Sequence, residues 1–146
     1  MITIFNQVYE LLGHELFTTL FPVILTDNGP EFSNPLALEF ADHNQTVRRT
    51  RIFYTRPHTP SDKPHIEKTH VEFRKICPKC TSFDDFSQET IQLIFSHVNS
   101  HSIRKLNGST PIKTFSHFFG EHLHSKLGIT EILPDHVILN PKLLKQ

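Results

Sequence analysis

Two acidic residues stand where a metal centre for phosphoryl transfer could be assembled. Asp27 closes the short apolar run Pro22-Val23-Ile24-Leu25-Thr26, and Glu67 falls in the first turn of a helix expected after a proline-rich loop. Carboxylates at a strand end and a helix start can hold hard cations such as Mg2+. Two such ions clamp the attacking and leaving oxygens of a phosphoryl transfer. Spacing alone favours a plainer reading, a turn-forming Asp and a Glu that complements a helix dipole. The choice between them rests on the elements that carry the two residues and on the motifs around them.

Residues 2–12 place Ile4, Val8, Leu11 and Leu12 on one side of a helix closed by Gly13. Residues 22–26 read as a buried strand stopped by the turn Asp27-Asn28-Gly29-Pro30. Ser33 or Asn34 caps a helix that starts near Pro35 and runs to about His43. Residues 51–55 form a second strand, and the three prolines within 56–64 make that stretch an irregular loop. A helix follows over about 65–76, ended by Pro78. Ser87 with Thr90 opens another, in which Ile91, Ile94, Phe95 and Val98 keep a helical period. Asn107-Gly108 is a turn, and Thr110-Pro111 starts a helix whose Phe115, Phe118 and Phe119 are expected in the core. Residues 120–129 add a turn or two of helix closed by Gly128, and 132–146 form an extended, proline-punctuated tail. This alternation predicts an α/β layer architecture.

The residues around the two carboxylates carry a resemblance. Leu25-Thr26-Asp27-Asn28-Gly29-Pro30-Glu31-Phe32 matches every specified position of Thr-Asp-Asn-Gly-x-Glu-Phe, the second-aspartate motif of DDE transposases of the insertion-sequence-thirty group, relatives of retroviral integrases. Pro57-His58-Thr59-Pro60-Ser61-Asp62-Lys63-Pro64-His65-Ile66-Glu67-Lys68 resembles the loop and helix start that carry that family's glutamate. Arg74 stands seven positions after Glu67, where the family has a basic residue. Pro78-Lys79, Thr81-Ser82-Phe83, Asn99 and Leu106-Asn107-Gly108-Ser109-Thr110-Pro111 follow in family order, with Phe115 beyond. The chain departs from the pattern at Pro64 and Cys80, where glycine is common, and at Ile66. The 39 residues between Asp27 and Glu67 are also more than the group usually has.

The resemblance implies a partial ribonuclease-H-like fold, an incomplete sheet flanked by helices, with a helical C-terminal extension. Residues 1–119 would be the C-terminal part of an integrase-type catalytic domain and 120–146 an extension or tail. It implies metal-dependent DNA integration by strand transfer, with Asp27 and Glu67 as ligands of a two-ion Mg2+ or Mn2+ site. The family's first aspartate has no counterpart here, so an N-terminally truncated core, inactive by itself and with a bare sheet edge, is the expectation. DNA, as transposon ends and target, is the implied partner, and a homo-oligomer is the family habit. Lys63 and Arg74, flanking the glutamate, and the cluster Arg48, Arg49 and Arg51 are candidate DNA-binding residues.

Composition leaves room for this. Fifteen basic and fifteen acidic side chains cancel, which does not mark a nucleic-acid binder, but the arginines are locally concentrated. No membrane-length apolar run or leader is visible, so a cytoplasmic protein with neither membrane nor small-molecule partners is expected. Two cysteines offer no disulfide framework. Cys77-Pro78-Lys79-Cys80 with His97 and His101 suggests the alternative, a small zinc-stabilised nucleic-acid-binding module without catalysis. The plainer reading of His97 and His101 is one solvated helix face. His70, one turn after Glu67, could touch a metal or simply lie on the helix surface.

Overall fold

The computed structural model describes residues 1–56 and 64–145, with residues 64–67 described by their backbone. They comprise seven α-helices and two strands: α1 (Ile2–Leu12), α2 (His14–Leu20), β1 (Ile24–Thr26), α3 (Pro35–Glu39), β2 (Ile52–Tyr54), α4 (Pro64–Ile76), α5 (Gln88–Asn99), α6 (Pro111–Phe119) and α7 (Leu123–Lys126). The chain is therefore mixed helix with a small parallel sheet, an α/β arrangement. It divides into two compact units, Met1–Asp62 and Lys63–Gln146.

In the first unit β1 and β2 pair in parallel with Ile24 opposite Ile52, Leu25 opposite Phe53 and Thr26 opposite Tyr54. Parallel neighbours need a crossover, and α3 lies within it, packed on both α1 and β2. Gly13, at φ +77°, ends α1 and opens α2 at once. Phe17 of α2 is 2% exposed, with the Tyr9 and Phe21 rings 5.3 and 5.1 Å away. Burying such a ring contributes about 2–3 kcal/mol. The cross-strand partners Leu25 and Phe53 share the opposite, exposed face.

The second unit is built on α4, α5 and the C-terminal segment. Ile76, Cys77, Ile94, Val98 and Leu143 form its buried cluster, with Phe73, Phe86, Ile138 and Leu139 against it. Ser87 and Thr110 each cap a helix by accepting from the backbone N–H three residues on, at 3.2 Å in both cases. Residues 120–145 belong to this unit, and Leu143 sits inside it at 2% exposure.

Several expectations change. The helix α2 was not foreseen, because seven residues with two threonines give little periodicity. Helix α3, capped by Asn34, stops at Glu39 rather than near His43. Phe40 there turns extended and bridges to Arg48, while the Asp42 carboxylate accepts from the Thr46 and Val47 N–H groups. That competing side-chain acceptor organises a turn where the helix would have continued. The tail is not simply extended, since 3-10 turns form at Pro134–His136 and Pro141–Lys145. Phe118 is not core; it is 72% exposed, and Phe115 is the half-buried member of its set.

Candidate nucleic-acid and metal site

Asp27 directly follows β1, so it stands at the carboxyl end of a strand in a parallel β-α-β unit. Ligands of open α/β sheets bind at that end. Its position is well held. Thr26 is buried and its carbonyl accepts from Thr55 N–H at 2.8 Å, which ties the two strand ends together. The Tyr54 hydroxyl donates to the Phe32 carbonyl and pins the turn Pro30–Phe32 beside the strand ends. Within that turn the Glu31 carboxylate lies so close over Gly29 that a Cβ there would meet its Oε2 at 2.5 Å. Asp27 is exposed.

Glu67 lies in the first turn of α4. Its side chain is outside the described residues, as are Lys63 and residues 57–63 of the proline loop. Arg74 is exposed in the last turn of the same helix. Seven residues are close to two full turns, so positions 67 and 74 fall on one face of α4. His70, between them, is exposed.

The arginine cluster separates into three different environments. Arg51 is exposed. Arg48 is exposed over the Phe40 ring, 3.7 Å from the Glu39 carboxylate. Arg49 is interior, at 1% exposure. Its guanidinium donates to the Leu38 carbonyl at 2.9 Å, the Ala37 carbonyl at 2.9 Å and Asn6 Oδ1 at 2.8 Å. The Tyr9 and Phe5 rings lie 5.4 and 5.9 Å from it. Arg49 thus corrects the expectation for the cluster: it closes the C-terminal end of α3 and is not placed to meet a phosphate. Burial lowers its pKa, but a guanidinium remains charged at neutral pH.

The zinc alternative loses its ligand set. Among the described residues no three His, Cys, Asp or Glu side chains gather as a metal would need. Cys77 is buried, and burial raises its thiol pKa against the opposing influence of Arg74. Cys80 is exposed and sits at φ +69°, a left-handed conformation. That is the backbone geometry for which glycine is the usual residue. His97 is buried rather than solvated, and its Nδ1 accepts from the Ile138 N–H at 3.1 Å. Burial lowers its pKa.

His97 has company that the sequence reading missed. Ser96 Oγ accepts from Thr130 N–H at 3.0 Å and Ser100 Oγ from Ile132 N–H at 2.9 Å. Two polar side chains of α5 and that of Ser100, which ends the helix, therefore bind the backbone of the C-terminal segment. Serines four apart beside His97 were the available signal. Glu39 was also missed. Its Oε1 accepts from Ile52 N–H at 2.8 Å, and its carbonyl accepts from Arg49 N–H at 2.8 Å, so it docks β2 on α3.

For divalent metals, the donor chemistry is in part suitable. Asp27 offers a hard oxygen donor on a held turn, but one described carboxylate is not a centre. Comparison of the chain with family models, with curated proteins and with solved structures gave no match. No described helix is long and apolar enough to cross a membrane.

Proposed function

We propose that the chain is transposase-derived, a partial ribonuclease-H-like domain from the machinery of DNA integration. The observation that carries this reading is Asp27, exposed at the carboxyl end of β1 and held by the Thr26–Thr55 and Tyr54–Phe32 hydrogen bonds, within an unbroken Thr-Asp-Asn-Gly-x-Glu-Phe motif. In this reading Asp27 and Glu67 are the carboxylates that hold divalent ions. Such ions, when bound, activate an oxygen nucleophile and stabilise charge at phosphorus. The Tyr54 hydroxyl holds the turn that follows Asp27 through the Phe32 carbonyl, and Arg74 draws the DNA backbone towards the Glu67 face of α4.

These 146 residues contain two of the three carboxylates that the family uses. In this reading the 146 residues by themselves are expected to perform neither hydrolysis at a transposon end nor transfer of the freed 3′-hydroxyl. Incubation with Mn2+ and terminal-repeat DNA is expected to give no strand-transfer product. The ligand assignment is tested separately by nuclear magnetic resonance. Added Mn2+ is expected to broaden the amide signals of Asn28 and Lys68, the first effect reduced in Asp27→Asn and the second in Glu67→Gln. Broadening that ignores either substitution removes that carboxylate from the reading.

A further inference from the structure

Within the second unit, α4, the C-terminal end of α5 and the turn Arg104–Leu106 enclose an open groove of about 680 Å3. That is the size of a ligand site rather than a packing defect. Lys68 enters it from α4, and Arg104 and Lys105 from the turn. None of the three has a carboxylate partner among the described residues. The one acid among the groove's described lining residues, Glu72, is committed elsewhere: its carboxylate lies 2.6 Å from Lys75 Nζ and is largely buried. The groove is therefore cationic, with half-buried Ile103, Leu106 and Pro111 also in its lining.

The turn that presents two of the cations is stiff. Ile103 N–H bonds to Ser109 O, Leu106 and Gly108 N–H both bond to Ile103 O, Asn107 N–H bonds to Arg104 O, and Ser109 N–H bonds to Leu106 O, all between 2.9 and 3.2 Å. Asn107 and Gly108 take the left-handed angles, φ +52° and +81°, that close it. A ligand meeting Arg104 and Lys105 does not have to order their backbone first, which removes much of the entropic cost of binding. Guanidinium and ammonium groups lining one groove together with apolar side chains suit the phosphates and sugars of a phosphodiester chain.

We propose that this groove holds the phosphodiester backbone of a nucleic acid strand, with Lys68, Arg104 and Lys105 as its phosphate contacts. The ligand class rests on the reading above; the location and the residues are independent of the Asp27 motif. The test is fluorescence anisotropy of the whole chain with a labelled single-stranded oligonucleotide and with a labelled duplex, at several salt concentrations. Replacing Arg104 and Lys105 together by Ala is expected to weaken binding at least tenfold. It should also flatten the slope of log affinity against log salt by about 1.4 for single strands or 1.8 for duplex, from roughly 0.7 or 0.9 per lost phosphate contact. Lys68→Ala, on a different element, should remove about half as much, and Lys142→Ala, an exposed control outside the groove, nothing.

Unchanged affinity and slope in the double variant overturn the groove but leave the transposase reading standing, because DNA is then bound elsewhere. Conversely, Mn2+ broadening at Asn28 that is absent, or that ignores Asp27→Asn, sinks that reading without touching the groove. Displacement by polyglutamate as effective as by oligonucleotide, charge for charge, overturns the phosphodiester assignment in favour of an acidic peptide. No binding by the unsubstituted chain at 50 mM salt also overturns it. A stronger response with single strands than with duplex identifies which form is held.

Discussion

Replacing Arg49 should damage the first unit, not DNA binding. The side chain makes three hydrogen bonds to oxygen acceptors, two of them carbonyls of α3, and lies near two aromatic rings. A hydrogen bond from a charged donor contributes roughly 1.5–3 kcal/mol. Against the sum stands the cost of desolvating the guanidinium, several kcal/mol. Truncation to Ala removes the bonds, leaves the Leu38 and Ala37 carbonyls without this donor and opens a void. A net loss of about 3 kcal/mol follows. Arg49→Lys keeps the charge, but an ammonium cannot reach three separated acceptors from one atom, so it should lose about 1–2 kcal/mol. Amide hydrogen exchange in α1, α3 and β2 reads this unit by itself. The Ala variant should exchange about a hundredfold faster there and the Lys variant about tenfold, at roughly 1.4 kcal/mol per decade. Ala-variant exchange within threefold of the parent, with weakened DNA binding, would refute the buried assignment and restore Arg49 to the phosphate-contacting set.

Other outcomes follow from the second unit. His97 is buried with its pKa lowered, so its neutral form stabilises the fold; that contribution is complete above about pH 6.5 and is lost as pH falls through the lower folded value. Exchange of the Ile138 amide should accelerate on acidification from about pH 7.5 to 5, beyond the intrinsic pH effect, and His97→Asn should flatten the dependence; the same profile in both proteins refutes the role. A thiol reagent should label Cys80 quickly and Cys77 only on unfolding, and equal labelling of the native protein contradicts the burial of Cys77. Gly128 combines φ +72° with the Gln92 side chain within contact distance of a Cβ. Gly128→Ala should therefore cost about 1–2 kcal/mol by chemical denaturation, and an unchanged midpoint would show that Gln92 moves aside and the backbone tolerates the residue.

Local signals carried much of the outline. Gly13, Asn34-Pro35, Ser87 and Thr110-Pro111 are caps whose chemistry acts within three residues, so the starts of α3, α5 and α6 and the end of α1 were legible. Apolar β-branched runs located both strands. The turn that exposes Asp27 was likewise legible, because Asp-Asn-Gly-Pro favours a break whatever surrounds it.

The direction in which each arginine and histidine points was not written locally. Arg48, Arg49 and Arg51 differ little as sequence, yet one side chain lies inside because α1 and α3 present Asn6, Ala37 and Leu38 to it across more than ten residues of chain. His97 became an interior acceptor only because the segment around Ile138 returns over α5, 41 residues later. Pairing of β1 with β2, the end of α3 at Glu39 and the groove beside Arg104 depend in the same way on partners distant along the chain. Composition and short motifs thus set which elements form and where a carboxylate is held at a strand end. Packing between remote segments decided which charges face water, because the desolvation of a charge is settled by what folds against it.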